Sequence, residues 1–293
     1  MTATDASVED ANAEDASADD ASVEDASAKD ASTGDASAGN ARAKVPEGEL
    51  VYAVGDVHGR SDLLIELLAK IDDDAARTVR ERNVALGADA APLKRTLIFI
   101  GDFVDRGHDA KGVIETLLHG LPDGFYCHVL KGNHEQMMLD FLDDADGLEL
   151  WRMNGGEETM RSYGVDVDKL SRTGAAPKKW HTAFAKGLPQ AHLDFFRNLE
   201  LQVPLGDYLF VHAGVRPGVA LDAQDERDSL WIRHEFLEAP GPFGKTIVHG
   251  HTPELQPVIR PNRIGIDTGA VFTGALTALR LEDDTARFLQ TGG

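Results

Sequence analysis

The sequence lacks features on which several classes of protein depend. Cys127 is the single cysteine, which excludes an intramolecular disulfide and a metal site built from several thiolates of one chain. No run approaches the roughly 18 apolar residues of a membrane-spanning helix, and the first 30 residues lack the apolar centre of a secretory signal. We therefore expect a soluble protein of the reducing cytoplasm with no membrane partner.

Basic residues are also few. The chain has 29 basic and 50 acidic residues, which gives a formal net charge of −21. Because nucleic acids and anionic lipids bind to basic surfaces, this excess of negative charge disfavours nonspecific binding to either. The sequence thus predicts no nucleic-acid partner, and an anionic substrate would need cations placed locally at its site. The oligomeric state stays open.

An acidic repeat precedes the part of the chain that can form a core. Residues 5–44 repeat with a period of five, as in DASVE and DASAD, and contain no aromatic residue, leucine or isoleucine. Such a segment cannot bury enough apolar surface to offset the entropy lost on ordering it. We expect residues 1–47 to be a disordered acidic tail, either a solvated spacer or a docking arm, and residues 48–293 to form a single domain.

The rest of the chain has the pattern of an α/β fold. Short apolar runs alternate with amphipathic stretches, and the first three predicted strands, residues 50–54, 96–100 and 126–130, each precede a helix. Residues 72–95 are expected to contain the end of the first helix and an exposed loop, and residues 164–190 a mostly helical insertion.

The second half is richer in strands. Its predicted strands are residues 201–203, 208–212, 246–249, 263–267 and 275–281. An α/β half followed by a strand-rich half favours two packed sheets that are covered by helices.

Residue types that bind metals follow five of the predicted strands. They lie in the glycine-bordered sequences GDVHG, GDFVDRG, GNHE, VHAG and HGHT. Ligands gather at the carboxyl ends of strands in α/β sheets, so these loops are expected to meet. Carboxylate, imidazole and amide ligands without cysteine suit a divalent ion such as manganese, iron or zinc. Two ions that share a carboxylate would use all of these ligands and hold a hydroxide between them.

In this order the five sequences resemble the motifs of the phosphoprotein phosphatase family of calcineurin-like metallophosphoesterases. NGGEETMRSYG at 154–164, SLWIRHEF at 229–236 and IDTGAVFTG at 266–274 are most similar to the bacterial and phage serine/threonine phosphatase branch. The resemblance extends from about residue 49 to residue 281. It implies that residues 48–293 are a catalytic domain with a central β-sandwich of two packed mixed sheets flanked by α-helices.

The resemblance also implies six ligands for two divalent metal ions, with manganese favoured and iron or zinc as alternatives. Asp56 and His58 would bind the first ion, and Asp102 would bridge the two ions. Asn133, His212 and His251 would bind the second ion. A hydroxide that bridges the two ions would then be the nucleophile, without a phosphoenzyme intermediate.

Four further residues receive roles in the same way. His134 is expected to be the general acid that protonates the leaving oxygen, and Asp105 is expected to orient it and keep it cationic. Arg106 and Arg233 match the phosphate-binding arginines of the family. We interpret Glu135 as a charge at a helix N-terminus, and neither Glu135 nor His249 as a ligand.

The implied function is that of a protein serine/threonine phosphatase acting on phosphorylated proteins or small phosphoesters. Two alternatives stay open. One is symmetrical hydrolysis of dinucleoside tetraphosphates, which Asp105 and the sequence GNHE disfavour. The other is a pseudo-phosphatase that binds phosphorylated partners without turnover, which the complete set of catalytic positions disfavours.

Overall fold

The computed structural model describes residues 43–87 and 91–292. The expected acidic tail, residues 1–47, therefore lies outside the described residues except for its last five positions. The strands are β1 Glu49–Val54, β2 Lys94–Phe99, β3 Phe125–Val129, β4 Gln202–Leu205, β5 Tyr208–Val211, β6 Thr246–His249, β7 Val258–Ile259, β8 Arg263–Gly265, β9 Thr277–Glu282 and β10 Thr285–Gln290.

Helices cover the sheets and fill most of residues 133–197. They are α1 Ser61–Leu86, α2 Ala110–His119, α3 Asn133–Asp143, α4 Leu148–Met153, α5 Gly156–Ser162, α6 Val167–Arg172, α7 Pro177–Gly187, α8 Gln190–Arg197, α9 Glu226–Trp231, α10 His234–Leu237 and α11 Ala270–Thr273. None of the helices in the described ranges is both long enough and apolar enough to cross a membrane.

The strands form two mixed five-stranded sheets. The first sheet has the order β10-β9-β1-β2-β3, in which β1, β2 and β3 are parallel and β9 is antiparallel to both of its neighbours. The second has the order β4-β5-β6-β8-β7, with β5, β6 and β8 parallel and an antiparallel strand at each edge. Parallel strands place their carboxyl ends at one edge of each sheet, where ligands bind in such folds.

A shared apolar core joins the two sheets. Val51 and Ala53 of β1 pack in one buried cluster with Phe210 and Val248 of the second sheet. Alternate residues of β1, such as Tyr52, face a separate cluster that includes α1. Because both faces of β1 are buried, this strand is a nearly continuous apolar run. The predicted α/β fold with two packed mixed sheets flanked by helices is confirmed.

The first helix occupies most of the segment 72–95, for which a helix end and a loop were predicted. It continues to Leu86, and the described part of the loop before β2 is short. The apolar periodicity stops at Ala75, but the buried face of α1 continues with the polar residues Asp74 and Thr78. The sequence also gave no signal for β7 and β10, which are a two-residue strand and a largely half-exposed edge strand.

The polar end of that buried face forms an ion pair between α1 and the first sheet. Asp74 accepts hydrogen bonds from the Tyr52 hydroxyl and from Nε of Arg280, each at 2.7 Å. Arg280 also donates to the Thr78 hydroxyl at 3.0 Å. Removing one member of a buried pair leaves the other charge without compensation.

We expect Asp74→Ala to lower the free energy of unfolding by about 2–3 kcal/mol, because Arg280 and the Tyr52 hydroxyl would lose their buried acceptor and Arg280 would keep only its contact with Glu282, at 2.8 Å. Urea denaturation of the two proteins measures this difference. Asp73→Ala, at the adjacent exposed position of α1, is the matched control and should change the free energy of unfolding by less than about 0.5 kcal/mol. Equal effects of the two substitutions would contradict a stabilising role for the ion pair.

Candidate metal centre

The carboxyl ends of the two sheets bring the predicted site residues together. Each of these residues follows a strand or begins the next helix, except for one that lies between α9 and α10. In the first sheet, β1 is followed by Asp56 and His58, β2 by Asp102, Asp105 and Arg106, and β3 by Asn133 and His134. The second half of the chain contributes His212, Arg233 and His251. All are buried except the two arginines, which are exposed.

Asp102 lies at the centre of the cluster. Its Oδ1 is 3.4 Å from Nε2 of His212, and its Oδ2 is 3.6 Å from Nε2 of His58 and 3.9 Å from Nε2 of His134. Two sets of potential ligand atoms share this carboxylate, each set within 4.8 Å: Asp102 with His58 and His134, and Asp102 with His212 and His251. Burial alone would raise the pKa of Asp102, but the neighbouring histidines hold it well below its usual value.

Backbone carbonyls orient two of the imidazoles. Nδ1 of His58 lies 2.9 Å from the Val104 carbonyl, and Nδ1 of His212 lies 2.8 Å from the Ile100 carbonyl. Because a carbonyl can only accept, each Nδ1 carries the hydrogen, and the Nε2 lone pair is directed toward the cluster. Burial lowers the pKa of His58 to about 3 and also lowers that of His212, which keeps both rings in the neutral form that binds metals.

Asn133 and Asp56 complete the other side of the cluster. Oδ1 of Asn133 is 3.0 Å from Nε2 of His212 and 3.0 Å from Nδ1 of His251. Oδ2 of Asp56 accepts the backbone N–H of His251 at 2.9 Å, whereas its buried Oδ1 has no hydrogen-bond donor within the described residues. Burial and the nearby carboxylates of Asp267 and Asp102 raise the pKa of Asp56 well above its usual value.

This donor set fits divalent metal ions. A buried carboxylate oxygen without a partner is costly, and a cation beside it removes that cost. Oxygen and imidazole nitrogen ligands without sulfur suit first-row divalent ions. The one carboxylate shared by two ligand sets has the position that a bridging ligand requires.

His134 is held by a second buried carboxylate. Its Nδ1 lies 2.7 Å from Oδ2 of Asp105, which also accepts hydrogen bonds from Nε1 of Trp151 at 3.0 Å and, through Oδ1, from the Thr159 hydroxyl at 2.7 Å. Burial lowers the pKa of His134, but the carboxylates of Asp102 and Asp105 outweigh this effect and raise it above its usual value. The imidazole is thus fixed in orientation and favours its protonated form.

The two arginines lie at the solvent side of the cluster. Nη1 of Arg106 is 3.0 Å from Nε2 of His58, and Nε of Arg233 donates to Nε2 of His251 at 3.0 Å. Each places an exposed guanidinium next to a buried potential ligand. Together they supply positive charge where an anion would enter an otherwise acidic protein.

The backbone of the cluster is strained, which its sequence alone did not reveal. Six non-glycine residues in the described ranges have a left-handed φ. Five of them belong to the cluster: His58, Asp102, Asp105, Arg106 and His251. The sixth, Asp283, lies in the turn between β9 and β10. Such conformations cost about 1–3 kcal/mol each and concentrate at functional sites.

Two glycines allow the close approach of neighbouring loops. A Cβ atom at Gly132 would lie 2.1 Å from Oδ1 of Asp102, and one at Gly250 would lie 1.9 Å from Oδ1 of Asp56. Any side chain at either position would therefore displace a carboxylate of the cluster.

Glu135 has a larger role than a charge at a helix N-terminus. Its buried carboxylate accepts hydrogen bonds from the backbone N–H groups of Asp102, Phe103 and Gly132 at 2.9, 2.7 and 2.9 Å, and so fixes the loop after β2 to the start of α3. A glutamate at the third helical position can accept the N–H of the residue before the helix, as Glu135 does from Gly132, and could have indicated this part of the role.

Three other residues support the cluster, and the sequence indicated no role for Thr159 or Asp267. Trp151 and Thr159 hold Asp105, and Asp267 lies beside Asp56. His249 belongs to neither set of potential ligand atoms, and its ring packs against Phe236 with the ring centroids 4.9 Å apart.

Known proteins that are similar to this chain include phosphatases and other phosphoesterases. The sequence profile of calcineurin-like phosphoesterases matches residues 50–283. Serine/threonine-protein phosphatase 1 of Salmonella typhimurium is 28% identical over 237 residues, which cover 79% of this chain and 92% of that protein. The asymmetrical bis(5'-nucleosyl)-tetraphosphatase PrpE of Oceanobacillus iheyensis is 25% identical over 247 residues, which cover 78% of this chain and 88% of that protein.

The fold is also found in solved structures. One, described as "Crystal structure of a putative diadenosine tetraphosphatase", aligns with a TM-score of 0.52 and 20% sequence identity, covering 86% of this chain and 100% of the other.

Proposed function

The chain belongs to the calcineurin-like phosphoesterase family, and from this membership we propose that it is a phosphomonoester hydrolase that uses two divalent metal ions. The observation that carries the proposal is the buried Asp102 carboxylate, which two sets of potential ligands share. Asp56 and His58 would complete the first metal site, where His134 of the first ligand set would act as the acid and not as a ligand, and Asn133, His212 and His251 would complete the second. We propose manganese as the preferred ion, with iron or zinc as alternatives.

Metal ions bound there would lower the pKa of bound water toward about 7 and neutralise charge on the phosphoryl group. Arg106 and Arg233 bind the phosphate oxygens, because both guanidinium groups border the cluster from the solvent side. His134 gives its Nε2 proton to the leaving oxygen, and the Asp105 hydrogen bond at Nδ1 holds the ring in position.

We propose phosphorylated serine or threonine in a protein as the substrate. A serine alkoxide is a poor leaving group and needs a proton, which the buried His134–Asp105 pair can supply. The similarity to serine/threonine-protein phosphatase 1 over 92% of that protein supports this choice.

Hydrolysis of dinucleoside tetraphosphates is the second candidate. It is favoured by the relative named bis(5'-nucleosyl)-tetraphosphatase, which is described as asymmetrical, whereas the sequence had suggested the symmetrical reaction as the alternative. The two candidates share the metal cluster and differ in what binds beyond the phosphate.

Metal depletion and repletion of the full-length protein tests the proposal. The chelated protein should be inactive, and manganese should restore turnover of p-nitrophenyl phosphate, a phosphoserine peptide and, more slowly, diadenosine tetraphosphate. Magnesium, zinc and iron are tested in parallel. A preference for diadenosine tetraphosphate would select the second candidate, and failure of every ion with all three substrates would contradict a hydrolase and favour the phosphate-binding pseudo-phosphatase.

A further inference from the structure

The turn that carries Asp105 and Arg106 is held in place by the segment that contains α4 and α5. Both residues have a left-handed φ, of 70° and 64°, which is unfavourable for residues other than glycine and persists where surrounding contacts enforce it. The backbone N–H of Asp105 donates to the Thr159 hydroxyl at 2.8 Å. The backbone N–H of Arg106 donates to the carbonyl of Gly155, the residue before α5, at 3.2 Å. The α4–α5 segment therefore supplies the acceptors that this turn requires.

The same segment also fixes the side chain of Asp105. Nε1 of Trp151 lies 3.0 Å from each of the two carboxylate oxygens, and the Thr159 hydroxyl donates to Oδ1 at 2.7 Å. Thr159 thus accepts from the backbone of Asp105 and donates to its carboxylate with one hydroxyl group. Asp105, Trp151 and Thr159 are fully buried, so water does not compete for these hydrogen bonds.

These contacts determine how the carboxylate meets His134. Oδ2 of Asp105 lies 2.7 Å from Nδ1 of His134, while Oδ1 is bound by Thr159. Among the described residues, no side chain besides His134, Trp151 and Thr159 donates to this carboxylate. Without the indole and the hydroxyl, the carboxylate could rotate about its Cβ–Cγ bond and the imidazole could follow it. A displacement of about 1 Å can cost about a hundredfold in rate.

We infer that Trp151 and Thr159 are positioning residues for proton donation by His134 and that they act through Asp105. The inference rests on the proposed function, in which His134 protonates the leaving oxygen. Because the two residues affect the proton donor and not the metal ligands, their loss should matter most for esters whose leaving group needs a proton. This dependence on the leaving group separates a positioning role from a general contribution to stability.

Turnover of three phosphate monoesters by the full-length protein, loaded with the ion that restores most activity, tests the inference. p-Nitrophenyl phosphate, phenyl phosphate and a phosphoserine peptide have leaving groups of increasing basicity. Trp151→Phe removes the indole N–H, and Thr159→Val replaces the hydroxyl with a methyl group. Each should lower kcat for the peptide about tenfold to a hundredfold and kcat for p-nitrophenyl phosphate less than about threefold, with phenyl phosphate between them.

Two further variants serve as controls. Thr159→Ser keeps the hydroxyl and should restore kcat for the peptide to within about threefold of the wild type. Trp180→Phe makes the same change at another buried indole, which lies on α7 and donates to the Ala175 carbonyl at 3.1 Å. It should leave the ratio of the three rates unchanged, because Trp180 does not contact Asp105.

A double variant tests whether Trp151 acts through His134. In a His134→Asn background the proton donor is already absent, so Trp151→Phe should cause no further loss of peptide turnover. A further tenfold loss would overturn the inference, as would equal losses on all three esters in the single variants. These results contradict only the positioning role, because the wild type hydrolyses the esters in each case. If the wild type hydrolyses none of them with any ion, the proposed hydrolase fails and the inference fails with it.

Discussion

Asp102→Ala is expected to reduce turnover of p-nitrophenyl phosphate by about a thousandfold or more and to leave fewer than two metal ions bound per chain. Asp102 is the one carboxylate that both ligand sets share, so its removal damages both metal sites at once. A thousandfold loss corresponds to about 4 kcal/mol of transition-state stabilisation, a modest share of what activated water and charge neutralisation provide. Steady-state kinetics and elemental analysis of the dialysed protein measure the two effects.

The control for this experiment is a carboxylate of the same type on the surface. Asp168 of α6 has a side chain that is 76% exposed, and Asp168→Ala should leave both the metal content and turnover unchanged. Circular dichroism must show that each variant is folded, because Asp102 also accepts the backbone N–H of His134 at 3.1 Å. A folded Asp102→Ala protein that retains two ions and full turnover would show that the cluster is not the metal centre.

The meeting of the candidate site residues at one place was the feature of the molecule that could be predicted most directly from the sequence. Five glycine-bordered loops each followed an apolar run, and parallel strands carry such loops to one edge of a sheet whatever their separation in the chain. This is why Asn133 and His251, which are 118 residues apart, could both be expected at the cluster before their 3.0 Å contact was known.

The residues that hold the cluster in place could not be found in the same way. Trp151 and Thr159 lie on α4 and α5, whose positions depend on helix packing that no local sequence pattern specifies. Glu135 was interpreted only as a charge at a helix N-terminus. Its partners in the loop after β2 are backbone N–H groups, which almost every residue type has, so no sequence pattern indicates them. The position at which α1 ends could not be predicted for a related reason: its buried face becomes polar at Asp74, where the partner is Arg280 on a distant strand.

His134→Asn should have the second large effect, and one that depends on the substrate. General acid catalysis contributes about 10²–10⁴-fold to rate, so turnover of a phosphoserine peptide should fall by that factor. Turnover of p-nitrophenyl phosphate should fall far less, because p-nitrophenolate leaves without being protonated. His128→Asn, at a half-exposed histidine of β3, is the matched control and should change neither rate. Equal losses on both substrates would contradict a role for His134 in protonating the leaving group.

The pH dependence of kcat for peptide hydrolysis also tests whether His134 is the general acid. As an acid, His134 must be protonated, so turnover is expected to fall as the pH rises through its pKa. Burial lowers the pKa of His134, but the carboxylates of Asp102 and Asp105 raise it overall. Asp105→Asn removes one of these charges and should therefore move the falling limb of the kcat–pH profile to lower pH. If kcat falls but the pH of its decline is unchanged, Asp105 acts only on the orientation of the ring, and another group determines the pH of the decline.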